Sequence, residues 1–487
     1  MKTLAFFIVA FLLFSLPFVA TLNSQNIAPS EMKRKQVVEK MDKMHLRFET
    51  TAVIEKSKKM LEIPSRVKHL KDFSVARIPP TIEFVIVPFD ARFLPEPPKG
   101  YSLGTWSNWS QGNYYAPTKK FYATVGNHRA YGAQIHLVEY DTRTKTIRTL
   151  PEINALLGRQ SEDFGDGKIH GWLDFYNGSD LYFCTYWCHY PEPTEEDFQK
   201  GYEGGRIMSY NVTTDKFTDF GVPLKRSSWP YHRMDTRRGR MFAVGMFGEF
   251  LSYEINKREI RWAGYLPPGM RWFWRTMLVD EETGCVYTSN NLEGDSLVHI
   301  VKYNPTQNRF YKLNSHIPPN SITGGYGQIR AHTKNKSKDG WFICVVVGDP
   351  PGTGGQLFKF FPDADRIEDL GICWSGEHRY TASLALSPDE KFVYFIPAAH
   401  GKSHLEGTPV VQYNTKTGTR KVLAFLFPYF YDKYGYIPSG TFCIKLDDKG
   451  EKLFVLFNGA FAEYAPESGD VFGDPSVMVI HIPELER

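Results

Sequence analysis

The sequence predicts an all-β fold, a seven-bladed β-propeller preceded by a short helical N-terminal extension. Apolar, β-rich runs recur along the main body, polar turns separate them, and the repeat is roughly 45 to 60 residues long, as in four-stranded blades. An aromatic content of 15%, with 31 Pro and 40 Gly, suits many short strands joined by tight turns.

Each apolar run is predicted to be the second strand of a blade. Short turns of the hairpin type precede most of the runs, for example Asn177-Gly178 and Asp389-Glu390. The runs are Lys120–Val125, Leu181–Trp187, Met241–Phe247, Cys285–Ser289, Trp341–Val347, Phe392–Ala398 and Leu453–Phe457.

The last repeat lacks a fourth strand, because the sequence ends at Arg487 soon after Val477–Ile482. A strand candidate, Ile82–Val87, lies before the first blade, in segment 81–88. We expect it to complete the last blade and close the ring of residues 81–487, which removes exposed strand edges. The alternative is an independent edge strand.

The N-terminus resembles a secretory signal peptide over residues 1–22. Lys2 precedes an apolar run from Leu4 to Leu22, so a secreted or periplasmic location is expected. A membrane anchor is the alternative, at the short limit for a spanning helix. After removal of the signal no membrane association is expected.

Residues 23–80 are predicted to form the helical extension. Lys, Glu, Met and Leu recur at helical spacing in Glu31–Lys43 and in Thr51–Leu61, and Pro79-Pro80 ends the pattern.

Charge and cysteine content exclude two classes of protein. A formal charge of +4 over 487 residues does not predict nucleic-acid binding. Six cysteines are too few for a disulfide scaffold. Cys184 and Cys188 are interpreted as packing residues, with metal binding as the alternative.

Blade geometry predicts where chemically active side chains gather. Neighbouring strands are antiparallel, so the starts of innermost strands and the ends of second strands share one face, here called the mouth. The short turns lie on the opposite, far face. Second-strand ends place His128, Tyr190 and His400 at the mouth, and first-strand starts place His170, Tyr231, His232, Arg233, Arg275, Arg330 and Tyr380 there.

These residue types favour proton abstraction next to a carboxylate. A pair of carboxylates for ordinary glycoside hydrolysis is lacking in this set, and neither a G-x-S-x-G elbow nor a Walker loop occurs in the sequence. An Arg neutralises a uronate carboxylate while His and Tyr move protons, which is β-elimination. The predicted partner is therefore an acidic polysaccharide, and the predicted substrate-binding residues are Tyr231, His232, Arg233, Arg275, Arg330, Tyr380 and Trp109.

Several short motifs resemble the propeller-type polysaccharide lyases, and ulvan lyases in particular, over residues 101 to 260. They are Trp106 to Trp109 (WSNW), Gly126 to His128 (GNH), Lys168 to Gly171 (KIHG), Tyr190, and Gly204 to Arg206 (GGR).

The resemblance implies catalytic roles for His128, His170, Tyr190 and Arg206. In that family a His and a Tyr act as base and acid, a second His assists, and an Arg neutralises the uronate. If Arg206 pairs elsewhere, Arg233 or Arg275 is the neutralising group. Metal ions occur in such enzymes, so a structural calcium or zinc ion stays open, without assigned ligands.

Two other classes of function remain compatible with the residues. A non-catalytic propeller would use the mouth to bind a glycan or a protein. A propeller glycosidase would cleave a rhamnose–glucuronate linkage with a single His.

Overall fold

The computed structural model of the chain describes residues 50–88, 106–187, 191–290, 297–348, 354–462 and 470–487. Tyr190, Cys188, the predicted signal peptide and the predicted helix Glu31–Lys43 lie outside these residues. Among the described residues, no helix is long and apolar enough to cross a membrane.

The first described strands belong to blades formed by the end of the chain. Strand β1 (Val53–Glu55) pairs with β3 (Thr81–Ile86), and β2 (Phe73–Val75) runs parallel to a strand of the sixth blade. The helix predicted over Thr51–Leu61 is wrong, since only a 3₁₀ turn at Lys58–Leu61 is present. β-Branched Val53 and Ile54 favour a strand, and β3 offers the edge with which that strand pairs.

The described residues form seven sheets, one per blade, which confirms the seven-bladed propeller. In the first three blades, the strands from the channel outward are β4 (Asn113–Tyr115), β5 (Lys120–Gly126), β6 (Ile135–Asp141) and β7 (Thr146–Thr149); β8 (Asp174–Tyr176), β9 (Asp180–Cys184), β10 (Ile207–Asn211) and β11 (Lys216–Gly221); β12 (Tyr231–Asp235), β13 (Arg240–Val244), β14 (Glu249–Glu254) and β15 (Glu259–Tyr265).

The next three blades repeat the same meander, and β2 is added outside the sixth. Their strands are β16 (Leu278–Val279), β17 (Val286–Ser289), β18 (His299–Asn304) and β19 (Arg309–His316); β20 (Gly327–His332), β21 (Phe342–Gly348), β22 (Gln356–Phe361) and β23 (Arg366–Ile372); β24 (Ala385–Leu386), β25 (Phe392–Phe395), β26 (Pro409–Asn414) and β27 (Arg420–Phe425).

The seventh blade joins the two ends of the chain. Strands β28 (Tyr436–Leu446), β29 (Lys452–Phe461) and β30 (Ser476–His481) are followed in the sheet by β3 and then β1. Strand β3 pairs antiparallel with β30 along its whole length. This is the predicted closure, with β1 as an additional outer strand.

Helices are few and short among the described residues. They are α1 (Ile153–Leu156), α2 (Glu195–Gln199) and α3 (Leu426–Tyr434). Helix α3 anchors β1, because Lys433 Nζ lies 2.6 Å from a Glu55 carboxylate oxygen and the Tyr429 and Tyr434 hydroxyls donate to the same carboxylate.

Apolar packing lies between neighbouring blades. Along β5, Phe121, Ala123 and Val125 pack against the seventh blade, whereas Tyr122 packs against the second. Successive strand residues point to opposite faces, so a blade covered on both faces needs a continuous apolar run. The same burial accounts for the cysteines, since the five described ones are free and buried.

The far-face turns have the backbone that the sequence predicts. Asn177 and Gly178 both have positive φ, 54° and 82°, as a two-residue hairpin turn requires. The innermost strands therefore begin at the mouth and end at such turns.

A buried carboxylate ties the closing strand to its neighbours. Glu83 of β3 accepts a hydrogen bond from the Tyr140 hydroxyl at 2.5 Å and lies 2.9 Å from His481 Nε2. Burial alone raises the pKa of Glu83, but the hydrogen bonds of His481 and Tyr140 outweigh it and hold that pKa below its usual value. The ionised carboxylate thus links β30, β3 and the first blade.

We predict that Glu83→Gln lowers the free energy of unfolding by about 1–3 kcal/mol at pH 7, because it removes a buried charge-assisted network. The folded-state pKa of Glu83 is lowered, so its contribution is present above the unfolded-state pKa and is lost as pH falls through the folded-state value. Urea unfolding measured from pH 7 down to pH 3 should therefore show the difference shrinking. Exposed Glu484 supplies the control, Glu484→Gln; an equal effect of both substitutions would contradict the prediction.

Candidate functional site

Three imidazoles surround one indole at the mouth. The ring of Trp109 lies 5.2 Å from that of His128, 5.8 Å from that of His170 and 5.2 Å from that of His400, measured between centroids. His170 is stacked on the indole with an interplanar angle of 16°. His128 and His170 thus both contact Trp109, as does His400.

A hydroxyl holds Trp109 and His128 in place. Trp109 Nε1 donates to Ser107 Oγ at 2.6 Å, and that oxygen lies 2.5 Å from His128 Nε2. His128 itself has a positive φ of 60°, a conformation uncommon for a residue with a side chain. These contacts fix the direction in which the His128 ring points.

A carboxylate orients His400. Its Nδ1 lies 2.8 Å from Asp470 Oδ2, and its side chain is 45% exposed, so Nε2 is the ring nitrogen that Asp470 does not engage. Burial raises the pKa of Asp470, but the hydrogen bond and charge of His400 outweigh it and lower that pKa. Asp470 is an acid at the mouth that the sequence did not predict there.

Two guanidinium groups lie beside Tyr380. Arg330 Nε donates to the Tyr380 hydroxyl at 2.6 Å, and Arg330 Nη1 donates to the Arg275 carbonyl oxygen at 3.3 Å. Burial lowers the pKa of Arg275, and the charge of Arg330 lowers it further, while the neighbouring Tyr380 opposes both. Positive charge is thus concentrated at this side of the mouth.

Arg330 is buried without a carboxylate. It is 2% exposed, and its Cζ lies 5.1 Å from the centroid of the Phe442 ring. Among the described residues, Nη2 of Arg330 has no hydrogen-bond partner and no acid lies within ion-pair distance of it. Arg275 and Tyr380, by contrast, are partly exposed.

Lys168 adds a further cation. Its ammonium lies 4.6 Å from the centroid of the Trp109 ring and 6.0 Å from that of Tyr186, with which Lys168 exchanges backbone hydrogen bonds. Lys168 and His170 are separated by one residue and therefore share a side of the segment that enters β8.

The next layer of the channel is aromatic. The rings of Trp172 and His332 lie 5.6 Å apart, and Trp172 Nε1 donates to the Tyr231 hydroxyl at 2.7 Å. Burial and the charge of Arg233 lower the pKa of His332 to about 3, so it is neutral at pH 7. Tyr231 is 2% exposed and belongs to this layer, so its expected place at the mouth is corrected.

His232 points away from the channel, between the second and third blades. Its Nε2 accepts a hydrogen bond from the Cys184 backbone at 3.2 Å, and burial lowers its pKa to about 4. A Cβ at Gly171 would lie only 2.4 Å from His232 Nδ1, so this tight packing requires glycine. A substrate-binding position for His232 at the mouth is therefore corrected as well.

Arg233 lies deeper still. Its Nε is 3.2 Å from Asp174 Oδ2, its Cζ is 4.4 Å from the Trp172 ring, and its side chain is fully buried. Alternation along β12 places Arg233 on the channel side, two residues beyond Tyr231 and toward the far face. The mouth position expected for Arg233 is thus corrected.

Arg206 lies away from the mouth. Its guanidinium pairs with Asp219 of β11 at 2.6 Å, within the same blade. Both residues line a surface cavity of about 490 Å³ next to α1 and α2. The resemblance assigned Arg206 to uronate neutralisation, but the structure separates it from His128 and His170; Tyr190 lies outside the described residues.

The Trp residues fall into two groups: some pack between blades, and Trp109 lies at the mouth. Trp229 and Trp272 are at most 1% exposed and pack between blades, whereas Trp109 forms the centre of the mouth. His, Cys, Asp and Glu side chains of the described residues nowhere gather in groups of three suited to hold a metal ion.

Sequence reasoning missed Phe442, Asp470 and the contribution of Lys168. Phe442 sits on an innermost strand opposite His170, and only the closed ring brings these strands together. One signal in the sequence was available: side chains alternate along each innermost strand, so the residues two positions from His170 and from Arg330 face the same channel.

We predict a measurable coupling between Arg206 and Asp219. The pair is partly buried, with 18% and 31% of the two side chains exposed, and Arg206 donates to both carboxylate oxygens. A double-mutant cycle with Arg206→Ala and Asp219→Ala, measured by urea unfolding, should give a coupling free energy of about 0.5–1 kcal/mol between the two side chains. If the two substitutions change the free energy of unfolding additively, the predicted interaction is contradicted.

No family model and no curated protein matches the chain. Solved structures similar to it include "Structure of U3-55K", at 9% identity over 82% of this chain and 98% of that chain, with a TM-score of 0.48. A second is "Crystal structure of RRP9 WD40 repeats", at 9% identity over 82% of this chain and 97% of that chain, with a TM-score of 0.47. A third is "Crystal Structure of Mitotic Checkpoint Complex", at 8% identity over 87% of this chain and 96% of that chain, with a TM-score of 0.48. At these identities and TM-scores nothing about function follows for this chain.

Proposed function

We propose that this protein binds a uronic-acid-containing polysaccharide at the mouth and cleaves it by β-elimination. The observation that carries the proposal is the meeting of His400, Tyr380 and Arg275 in one place. The rings of Tyr380 and His400 lie 6.5 Å apart, and Tyr380 lies beside the guanidinium groups of Arg275 and Arg330. One sugar unit is large enough to touch all three.

Charge supports an acidic substrate. A buried guanidinium without a counter-ion, as in Arg330, is energetically unfavourable, and an anion held nearby relieves the cost. Arg275 reaches solvent and is the group placed to contact a carboxylate directly, with Arg330 behind it. Arg275 thus takes the role first expected for Arg206.

Proton transfer follows from the same three groups. The carboxylate, neutralised by Arg275, makes the proton at the adjacent carbon more acidic. His400 removes that proton through Nε2, because Asp470 occupies Nδ1. The electron pair forms a carbon–carbon double bond, the glycosidic C–O bond breaks, and Tyr380 donates a proton to the leaving oxygen.

His128 and His170 line the same site through Trp109. His128 is partly exposed and His170 is 2% exposed, so His128 is the imidazole that can contact a second sugar unit. Export belongs to the proposal too: the apolar N-terminal run would carry the protein to a secreted or periplasmic location, where polysaccharide substrates occur.

The second candidate is a non-catalytic propeller that binds acidic glycans. The position of Arg206 favours it, because one of the four catalytic residues implied by the resemblance is paired with Asp219 instead. In that case the cations and aromatic rings of the mouth act in recognition alone.

We predict that the wild-type protein, incubated with ulvan, glycosaminoglycan and pectin panels, generates the ultraviolet absorbance of an unsaturated uronate. His400→Ala should lower kcat by about 10²–10⁴, the usual contribution of a positioned general base. Arg275→Met should lower kcat by about 10²–10³, since charge on the uronate grows toward the transition state. His128→Ala tests whether the second imidazole is needed.

Arg206→Ala is the matched control, because it removes a guanidinium outside the mouth, and its kcat should stay within about twofold of wild type. Normal turnover by both His400→Ala and Arg275→Met would overturn the mechanism. Glycan binding without absorbance would identify a binding propeller. New reducing ends without absorbance would identify a glycosidase.

A further inference from the structure

A second group of charges lies in the channel, below the aromatic layer of Trp172 and His332. We call Asp174, Arg233, Lys334 and Lys445 the channel tetrad. Asp174 and Lys334 come from the second and fifth blades, yet Lys334 Nζ lies 2.9 Å from Asp174 Oδ1. The tetrad therefore bridges the channel near its far face.

The acid of the tetrad is fully engaged. Asp174 is 1% exposed and is contacted by Arg233 Nε, Lys334 Nζ and the backbone N–H of Met234. Burial raises the pKa of Asp174, but the charges of Lys334 and Arg233 outweigh it and hold that pKa well below its usual value. The carboxylate is ionised at pH 7, and it already serves two cations.

Lys445 is the third cation and has no acid of its own. Among the described residues, its ammonium makes no hydrogen bond and no ion pair, and the nearby charges act on it only electrostatically. The charged or titratable groups that act on it are Lys334, Asp174, Arg233 and the Cys443 thiol. With all groups charged, three cations face one carboxylate.

Exposure distinguishes the two lysines from the rest of the tetrad. Lys445 is partly exposed and the Lys334 side chain is 21% exposed, whereas Arg233 and Asp174 are fully enclosed. The indole of Trp172 lies on the mouth side of the tetrad, with Lys334 Nζ 6.0 Å and Arg233 Cζ 4.4 Å from its ring.

We propose that the channel tetrad binds a small inorganic oxyanion, of the type of sulfate or phosphate, between Lys334 and Lys445. An anion there supplies the counter-charge that Asp174 cannot, and both ammonium groups donate to oxyanion oxygens in a charge-assisted manner. The site is separate from the mouth and does not depend on catalysis there.

The titration of Lys445 makes anion binding measurable as proton uptake. Burial lowers the pKa of Lys445, and the charges of Lys334 and Arg233 lower it further, to about 7. A bound anion favours the charged ammonium and raises that pKa again. Binding should therefore take up about half to three quarters of a proton per anion at pH 7.5, and almost none below pH 6, where Lys445 is already charged.

The experiment uses sodium sulfate, whose charge does not change over this pH range. Calorimetric titration in buffers of different ionisation enthalpy should show saturable binding with proton uptake at pH 7.5. The melting temperature should rise by about 1–3 °C when sulfate is tenfold above its Kd. Lys445→Met should abolish both effects, whereas exposed Lys416, changed to Met, is the matched control and should keep them.

Equal sulfate binding by Lys445→Met and wild type, or the lack of saturable binding to wild type, would overturn the proposal. A measurement on the wild-type protein covers the case in which Lys445→Met does not fold. Reductive methylation mapped by mass spectrometry should label Lys445 at pH 7.5, and sulfate should slow that labelling while leaving Lys416 unchanged. Labelling of Lys445 that sulfate does not slow would equally overturn it.

Discussion

The pairing of β3 with β30 is the interaction on which the rest of the structure depends. It joins the start of the described chain to its end, so that the seventh blade becomes a complete sheet and the ring has neighbours on every side. Without it, the apolar faces of the first and seventh blades, which share Val85, Phe121 and Phe454, would meet water. Closure also fixes the distance across the channel, where Gln111 of the first blade donates to the Ala382 carbonyl of the sixth.

In the closed ring, the position of a residue along its innermost strand sets the depth of its side chain in the channel. On the segment leading into β8, every second residue faces inward, in the order His170, Trp172 and Asp174 from mouth to far face. The fifth blade matches it with Arg330, His332 and Lys334. A slip of one residue would turn each set toward a neighbouring blade, so the pairing that buries the apolar runs also positions the polar layers.

Local pattern was sufficient to predict the blades, because turn residues and apolar runs act within a few residues of one another. The turn at Asn177-Gly178 and the run at Lys120–Val125 illustrate this. The helix expected over Thr51–Leu61 failed because its competitor, pairing with β3, lies about thirty residues away. Likewise short motifs predicted His128 and His170 as site residues, and both contact Trp109. The partners of Arg206 and Arg233, by contrast, depend on strands that the sequence does not mark as neighbours.

The channel carries more positive than negative charge at both depths, although the whole chain carries only +4. At the mouth, Arg330 is met by a phenol, a carbonyl and an aromatic face; deeper, Asp174 is shared between two cations. Neutral partners satisfy hydrogen bonds but do not neutralise charge, so a buried cation of this kind is stabilised when an anion arrives. Because the Trp172 layer separates the two zones, a polymer carboxylate at the mouth and a small oxyanion below it would occupy the channel without competing for the same cations.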